Sequence, residues 1–247
     1  LNGGILCSQG IGTVVNTEAV IFGGTAGYLF QRVLTKKMQT ILMQPLGTAV
    51  IFIGIAGSLS KILVIKHNAL STQGLMMAAI SLTLGAFLGK LLNIEGQFTA
   101  LGNLLRVHTG RQNDSRFIEG FVAATLTTCV GAMTVIGPLQ DALMHDPTML
   151  FTKSILDGVI VALYTSALGI GASFCALPIF VLEGGITLFA AWISPYLTTA
   201  MTNGLSLVSS MIIFCIGINL LLDKKIHVAN MLPGLIIVLL YAGLGFN

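Results

Sequence analysis

The apolar run Leu156–Ile193 most strongly limits what this chain can fold into. Its only charged residues are Asp157 and Glu183. A bilayer hydrocarbon core about 30 Å thick is crossed by roughly 20 helical residues. The run is therefore too long for one membrane span and too apolar for the surface of a soluble protein. We divide it at Gly169–Gly171, where two glycines favour a turn.

The composition places the whole chain among the integral membrane proteins. Of its 247 residues, 55% are hydrophobic and 9% are charged, and the mean hydropathy is +0.93. Soluble domains carry about 25% charged residues, so this chain has too few to solvate a globule. The small net charge of +3 and the lack of a basic block argue against nucleic acid as a partner. The four cysteines are scattered singly, so we predict no metal site and no cofactor.

We predict an all-α integral membrane protein with about eight transmembrane helices, in a single polytopic membrane domain of residues 1–247. Seven spans with a re-entrant piece are the alternative, because the division between the fifth and sixth spans has almost no polar loop. Residues 1–11 lack the basic start of a signal peptide, and we expect them to form a short external tail. The predicted spans are Gly12–Leu34, Leu46–Ile65, Gly74–Leu92, Phe117–Ile136, Met149–Ile170, Ala172–Ile193, Leu205–Leu222 and Val228–Phe246.

Lysines and arginines give the expected orientation. With the N-terminus outside, nine of the 12 basic residues fall on the inner side, and Lys61, Lys66 and Lys153 fall on the outer side. The positive-inside bias then places both termini outside. The longest polar connection, residues 93–116, mixes apolar residues at helical spacing with charge, and we expect a cytoplasmic amphipathic loop there.

The first and last thirds of the sequence resemble each other. The pair Gly23–Gly24 aligns with Gly184–Gly185 at an offset of 161 residues, and Gly54 aligns with Gly217 at an offset of 163. We predict a three-helix repeat at 12–92, two central helices at 117–170, and a second three-helix repeat at 172–246. An odd number of helices separates the repeats, so helices 6–8 would be inverted relative to helices 1–3, as in many secondary transporters. Chance similarity between glycine-rich helices is the alternative.

Three of the nine acidic residues fall within predicted spans, namely Glu18, Asp157 and Glu183. A carboxylate at bilayer depth costs at least about 2.5 kcal/mol and therefore indicates function. The helical rise of about 1.5 Å per residue places all three in one outer-to-middle layer. The other six, Asp141 among them, lie in loops or at span ends, where we expect water to solvate them.

Lys153 is the basic residue at comparable depth, and its spacing of four residues places it on the same helical face as Asp157. Three acids against one base leave surplus negative charge that must be protonated or bind a cation. The alternative is structural, with Lys153 extending to the outer interface and Asp157 merely pairing with it. The predicted substrate or ion site consists of Asp157, Lys153, Glu18, Asn16, Glu183, Thr17 and Tyr164.

Several motifs resemble one bacterial family from Gly12 onward. The segments "GTVVN", "GAMTVIGPLQDAL", "DPTMLFTKSILDG" and "NMLPGL" resemble the domain-of-unknown-function 554 family of YqgA/YdfK-like uncharacterised integral membrane proteins. The family's usual Gly-Asp-Pro appears here as His145-Asp146-Pro147. The resemblance implies a multi-pass protein of the bacterial inner (cytoplasmic) membrane and gives no substrate.

The leading functional prediction is a secondary transporter or channel for a small solute, a proton or a monovalent cation. The sequence contains no ATP-binding loop, so an ion gradient or a partner protein would supply the energy. A non-transporting membrane scaffold or sensor is the second hypothesis. A membrane enzyme is the third and is disfavoured, because no nucleophile or metal motif is present. The lipid bilayer is the expected surrounding, and a homo-oligomer remains open.

Overall fold

The computed structural model describes residues 10–31, 36–66, 69–111, 114, 116–130, 132–222 and 226–243. The predicted external tail lies almost wholly outside these residues. Short 3-10 turns cover Ile170–Cys175, Ser194–Tyr196 and Val228–Met231. The α-helices are α1 (Ile11–Gln31), α2 (Lys36–Ile62), α3 (Leu75–Leu91), α4 (Ile94–His108), α5 (Phe117–Cys129), α6 (Ala132–Met144), α7 (Thr148–Leu168), α8 (Ala176–Leu188), α9 (Ala190–Ile193), α10 (Thr199–Leu222) and α11 (Pro233–Gly243).

Length and hydropathy identify the candidate membrane spans. Two bent helix pairs, α3 with α4 and α5 with α6, also qualify when each pair is joined across its bend of 57° or 55°. The described residues therefore contain four to six candidate spans, which confirms the all-helical membrane class. The count of eight stays a prediction. The four continuous segments are Gln44–Ile62, Thr148–Leu168, Ile170–Leu188 and Thr199–Leu222.

A short β-hairpin follows α2. Strand β1 (Leu63–Lys66) pairs antiparallel with strand β2 (Ala69–Thr72). The second span was predicted to run to Ile65, so the helix ends three residues before that point. The β-branched residues Val64 and Ile65 fit a strand better than a helix end.

The chain divides into two compact units, each assembled from separate parts of the sequence. Unit 1 comprises residues 1–42 and 99–196, and unit 2 comprises residues 43–98 and 197–247. Unit 1 thus contains α1 and α5–α9, whereas unit 2 contains most of α2 together with α3, α10 and α11.

In unit 1, α1 packs most extensively on α7, and glycines bring the two backbones together. A Cβ added at Gly23 would lie 2.1 Å from the carbonyl oxygen of Gly158. A Cβ added at Gly27 would lie 2.3 Å from the carbonyl oxygen of Ala162. The contacts advance in the same direction along both chains, so the helices run parallel. Small residues spaced by four are typical of close helix crossings in membranes.

In unit 2, α2 packs on α10 and α3 packs on α11, in both cases antiparallel. Gly54 faces Phe214, and Gly57, one turn later in α2, faces Ser210, one turn earlier in α10. The carbonyl of Asn230 lies 2.0 Å from the position of a Cβ on Gly89. Helices therefore approach closely in both units without large side chains between them.

One break in the helices lies at a predicted span boundary, and a second lies inside a predicted span. The turn predicted at Gly169–Gly171 is confirmed: α7 ends at Leu168, and Gly169 has φ +100°, a conformation that favours glycine. The fourth predicted span, Phe117–Ile136, is not continuous, because α5 ends at Cys129 and Val130 is extended. A second helix, bent by 55°, follows it.

The connection between α6 and α7 places the backbone of residue 145 in the left-handed conformation. His145 has φ +55°, in the left-handed region that glycine adopts without steric cost. The glycine usual at this position in the resembling family would satisfy the same backbone, so His145 retains the turn with some strain. The next residue, Asp146, accepts a hydrogen bond from the Thr148 N–H at 3.1 Å. The Thr148 hydroxyl and N–H together hold the pKa of Asp146 below its usual range.

The close contact between α1 and α7 generates a stability prediction. Gly23→Ala should lower the free energy of unfolding in detergent by about 1–3 kcal/mol, because the added methyl group collides with the backbone of Gly158. Gly184→Ala is the matched control, since a Cβ there meets nothing within 4 Å. Thermal unfolding of both purified variants checks this. Equal melting temperatures would show that the glycine contact is not required.

Candidate functional site

Four polar side chains meet inside unit 1. Lys153 and Asp157 lie on α7 one turn apart, Asn16 lies on α1, and Glu183 lies on α8. Asn16 and Glu183 are fully buried, and Lys153 and Asp157 are each 5% exposed. We call these four residues the ion cluster.

Lys153 is the centre of the ion cluster. Its ammonium forms a salt bridge with Asp157 and lies 3.2 Å from Glu183 Oε1. It also donates a hydrogen bond of 3.0 Å to the backbone carbonyl of Thr128. A lysine ammonium has three N–H donors, so these three acceptors satisfy all of them.

The side-chain amide of Asn16 links the two carboxylates. Its amide nitrogen Nδ2 lies 3.0 Å and 3.1 Å from the two oxygens of Glu183, and 3.3 Å from Asp157 Oδ2. Carboxylates accept hydrogen bonds, so they fix the NH₂ end of the amide toward themselves. The amide oxygen of Asn16 accepts no hydrogen bond from the described residues. It is a buried acceptor beside two carboxylates.

The break between α5 and α6 supplies the backbone part of the site. The last four carbonyls of a helix lack intrahelical partners, and Thr128 lies one residue before the end of α5. Its carbonyl accepts the Lys153 ammonium and also the Thr134 hydroxyl, at 3.1 Å. Broken helices whose ends face a buried site are a recurring feature of membrane transporters.

The ion cluster carries one negative charge more than positive when all its groups are ionised. Lys153 contributes one positive charge, and Asp157 and Glu183 contribute two negative charges. Removing each ion from water costs several kcal/mol, and an unmatched charge is the most costly. The cluster can lower this cost by binding a proton on a carboxylate or a cation between the oxygens.

Four of the seven predicted site residues form the ion cluster. The other three, Tyr164, Thr17 and Glu18, do not take part in its hydrogen bonds and ion pairs. Tyr164 is fully buried and shares a 2.9 Å hydrogen bond with Thr127, beside Thr128. Thr17 is half-buried and donates to the carbonyl of Thr13 on its own helix. Glu18 is exposed. Two residues along a helix correspond to a rotation of about 200°, so Glu18 points away from the face that carries Asn16.

The prediction that water solvates Asp141 is wrong. This residue is fully buried in α6, and its Oδ2 accepts the N–H of Gly12 at 2.9 Å. It therefore caps the N-terminus of α1, where a negative charge is favourable. The fourth span was predicted to end at Ile136, but α6 continues through Pro138 and carries Asp141 into the packed interior.

The described residues contain no group of three His, Cys, Asp or Glu side chains placed to hold a metal ion. The oxygens of the ion cluster instead belong to two carboxylates and one amide, and the backbone carbonyl of Thr128 lies beside them. Ligands of this kind suit a proton or a hard cation rather than zinc.

Comparison with known proteins settles the family. The family model "Protein of unknown function (DUF554)" matches residues 11–242. The chain belongs to the DUF554 family. It is 31% identical to the "Uncharacterized membrane protein YdfK" of Bacillus subtilis (strain 168) over 226 residues, covering 92% of this chain and 93% of that protein. It is 28% identical to the "Uncharacterized protein YqgA" of Escherichia coli (strain K12) over 231 residues, covering 92% and 94%. No solved structure matches.

The charge balance of the ion cluster gives a prediction for this DUF554 protein. Lys153→Met removes the single positive charge and leaves two buried carboxylates together. We expect a loss of roughly 3–5 kcal/mol in the free energy of unfolding, as when one partner of a buried ion pair is removed. Glu183→Gln is the matched comparison, because it leaves the Lys153–Asp157 pair neutral. Denaturation in detergent measures both, and a loss in Lys153→Met no larger than in Glu183→Gln would contradict a central role for the lysine.

Proposed function

We propose that this protein is a secondary transporter or channel that moves a small solute or ion across the bacterial inner membrane. The ion cluster binds the proton or monovalent cation that moves with, or as, the solute. The observation that carries the proposal is the burial of one lysine with two carboxylates, which leaves one negative charge unmatched.

Binding of a cation would change the position of Lys153. With both carboxylates ionised, the ammonium bonds to both of them. A proton on Glu183 removes one of these attractions, and a metal cation repels the ammonium directly. Lys153 then interacts mainly with Asp157 and the carbonyl of Thr128. A charge-dependent rearrangement of this kind provides a switch between two states of the site.

Polar side chains continue beyond the ion cluster in unit 1. Toward the N-terminal end of α7, the hydroxyls of Thr13 and Thr187 lie 3.3 Å apart. Toward the C-terminal end of α7, Tyr164 pairs with Thr127, and the hydroxyl of the next residue, Thr165, lies 3.1 Å from that of Ser173. From Lys153 to Thr165 these polar residues are distributed over roughly 18 Å of α7, more than half of a hydrocarbon core about 30 Å thick. Polar residues at several depths in one unit favour transport over a scaffold.

Helix directions within each unit support the eight-span arrangement with inverted repeats. The segments that resemble each other in sequence lie on α1 and α8 in unit 1, and on α2 and α10 in unit 2. The contact of Thr13 with Thr187 and of Gly24 with Ser173 makes α1 and α8 antiparallel, as α2 and α10 are. An axis in the membrane plane relates helices of opposite direction. The parallel pair α1 and α7 also fits, as the first and fifth of eight alternating spans.

The scaffold hypothesis has one observation in its favour. The ammonium of Lys153 has all its donors engaged by protein groups, as in a fixed structural bridge. The two hypotheses differ in whether the carboxylates are needed for flux or only for folding.

Flux measurements separate these hypotheses. Asp157→Asn and Glu183→Gln each leave Lys153 with one carboxylate and so preserve a neutral pair. In vesicles reconstituted with the full chain, we expect proton or sodium flux to fall at least tenfold in both, with melting temperatures within a few degrees of the unaltered protein. Glu119→Gln, an exposed carboxylate of unit 1, should keep full flux.

Two results would end the transport proposal. One is unchanged flux in both folded variants. The other is an unaltered protein that moves neither protons nor monovalent cations faster than protein-free vesicles do. Loss of folding in both variants would instead assign the ion cluster a structural role.

The membrane orientation can be tested separately. In a cysteine-free background, a single cysteine at position 109 should be protected from an external thiol reagent in intact cells, and one at position 145 should react. Both residues are exposed on the protein, so protection would report the side of the membrane. The opposite pattern would invert the topology, and equal labelling would exclude the eight-span arrangement between these positions.

A further inference from the structure

Unit 2 contains a cavity of about 630 Å³ that lies where four elements meet. The end of α2, the start of α3 with Gln73 before it, the start of α10 and Tyr241 near the end of α11 line it. Its polar lining includes Lys61, Gln73 and Asn203, and its apolar lining includes Met77 and Leu207. This volume falls within the range of roughly 300–1,000 Å³ that is usual for small-molecule sites.

Lys61 gives the cavity an unmatched positive charge. Its ammonium donates one hydrogen bond of 3.0 Å to the amide oxygen of Asn203, and no acidic side chain among the residues that the structure describes lines the cavity. The single carboxylate side chain among the described residues of unit 2 is Glu95. It lies beyond the far end of α3, a helix roughly 25 Å long, and there contacts His227.

The start of α3 adds to the positive potential. Gly74 lines the cavity and precedes the helix with φ +75°, and no side chain caps the first turn. The first N–H groups of a helix lack intrahelical partners and carry partial positive charge. The φ of Gly74 favours glycine at this position, and an added Cβ would also lie 3.0 Å from the Leu207 side chain.

We infer that this cavity binds a small organic carboxylate. The carboxylate group lies at Lys61, close to the amide of Asn203 and the first turn of α3, and the apolar body lies against Met77 and Leu207. An ammonium, an amide and free helix N–H groups all donate hydrogen bonds to an anion. A methionine-lined wall adapts its shape to an apolar group. The inference does not depend on the ion cluster, which belongs to unit 1.

The test compares benzoate with benzamide, which has the same shape and no charge. Thermal unfolding of the purified full chain in a neutral detergent measures binding, because a ligand of the folded state raises the melting temperature. Sodium benzoate should raise the melting temperature in a saturable way, and benzamide should not. Inorganic phosphate should give no saturable shift, since it lacks an apolar body.

Variants assign the binding to the cavity. Lys61→Gln should raise the half-saturating benzoate concentration about tenfold or more, the usual consequence of losing one charged hydrogen bond. Asn203→Ala should raise it by a smaller factor. Lys90→Gln, which removes an exposed lysine at the other end of α3, is the matched control and should bind as the unaltered protein does.

Four outcomes would overturn the inference. These are no benzoate shift, an equal shift with benzamide, a shift that Lys61→Gln and Asn203→Ala both retain, or an equal saturable shift with phosphate. Glu183→Gln should keep full benzoate binding, so failure of the flux experiments leaves this result unaffected.

Discussion

The buried ammonium of Lys153 persists because groups from three helices converge on it and a fourth helix holds its carboxylate partners. A charge removed from water needs close partners in good geometry, or it destabilises the fold by several kcal/mol. Asp157 comes from the same helix, Glu183 from α8, and the Thr128 carbonyl from the interrupted end of α5. Asn16 on α1 then holds the carboxylates in place. The positions of α1, α5, α7 and α8 are therefore mutually dependent.

Part of this site could be predicted from the sequence. The four-residue spacing of Lys153 and Asp157 places them on one face of any helix, so their contact follows from local geometry. Depth in the membrane also selected Glu183 correctly as a buried group. Depth in the membrane does not show which face of its helix a residue occupies. Depth alone therefore includes Glu18 in the predicted site, although this residue is exposed. The Thr128 carbonyl is a backbone group, so no residue type in the sequence indicates its role. That role depends on the break between α5 and α6, which the apolar composition of this segment does not predict.

The fold was predictable to a similar extent. Long apolar runs determine which segments can cross a bilayer, and the glycines at 169–171 determine where α7 ends. Which helices pair is decided by shape, because hydrocarbon offers no preference between apolar faces. The contact of Gly23 with Gly158 illustrates this, since both glycines are visible in the sequence but their pairing is not. The two units are also invisible in the sequence, because each combines distant segments.

The two units present sites of opposite charge. The ion cluster has an excess negative charge, and the cavity at Lys61 has an excess positive charge. On the two proposals above, one unit takes up a proton or cation while the other takes up an organic anion. Simultaneous uptake would leave the net charge of the loaded protein nearly unchanged, and such a balance is the chemical basis of proton- or cation-coupled anion transport. The coupling would require both sites to influence the same conformational equilibrium.

The separation of Asn16 and Asp157 by 141 residues has a consequence for biosynthesis. Ribosomes add about 5–20 residues per second, so Asn16 is synthesised roughly 7–28 s before Asp157 on its principal partner α7. During this interval the amide of Asn16 has neither carboxylate beside it, and hydrocarbon offers it no hydrogen-bond partner. Water or the insertion machinery must therefore solvate α1 until the later helices arrive. The polar residues that complete the mature site thus delay the release of α1 into the lipid.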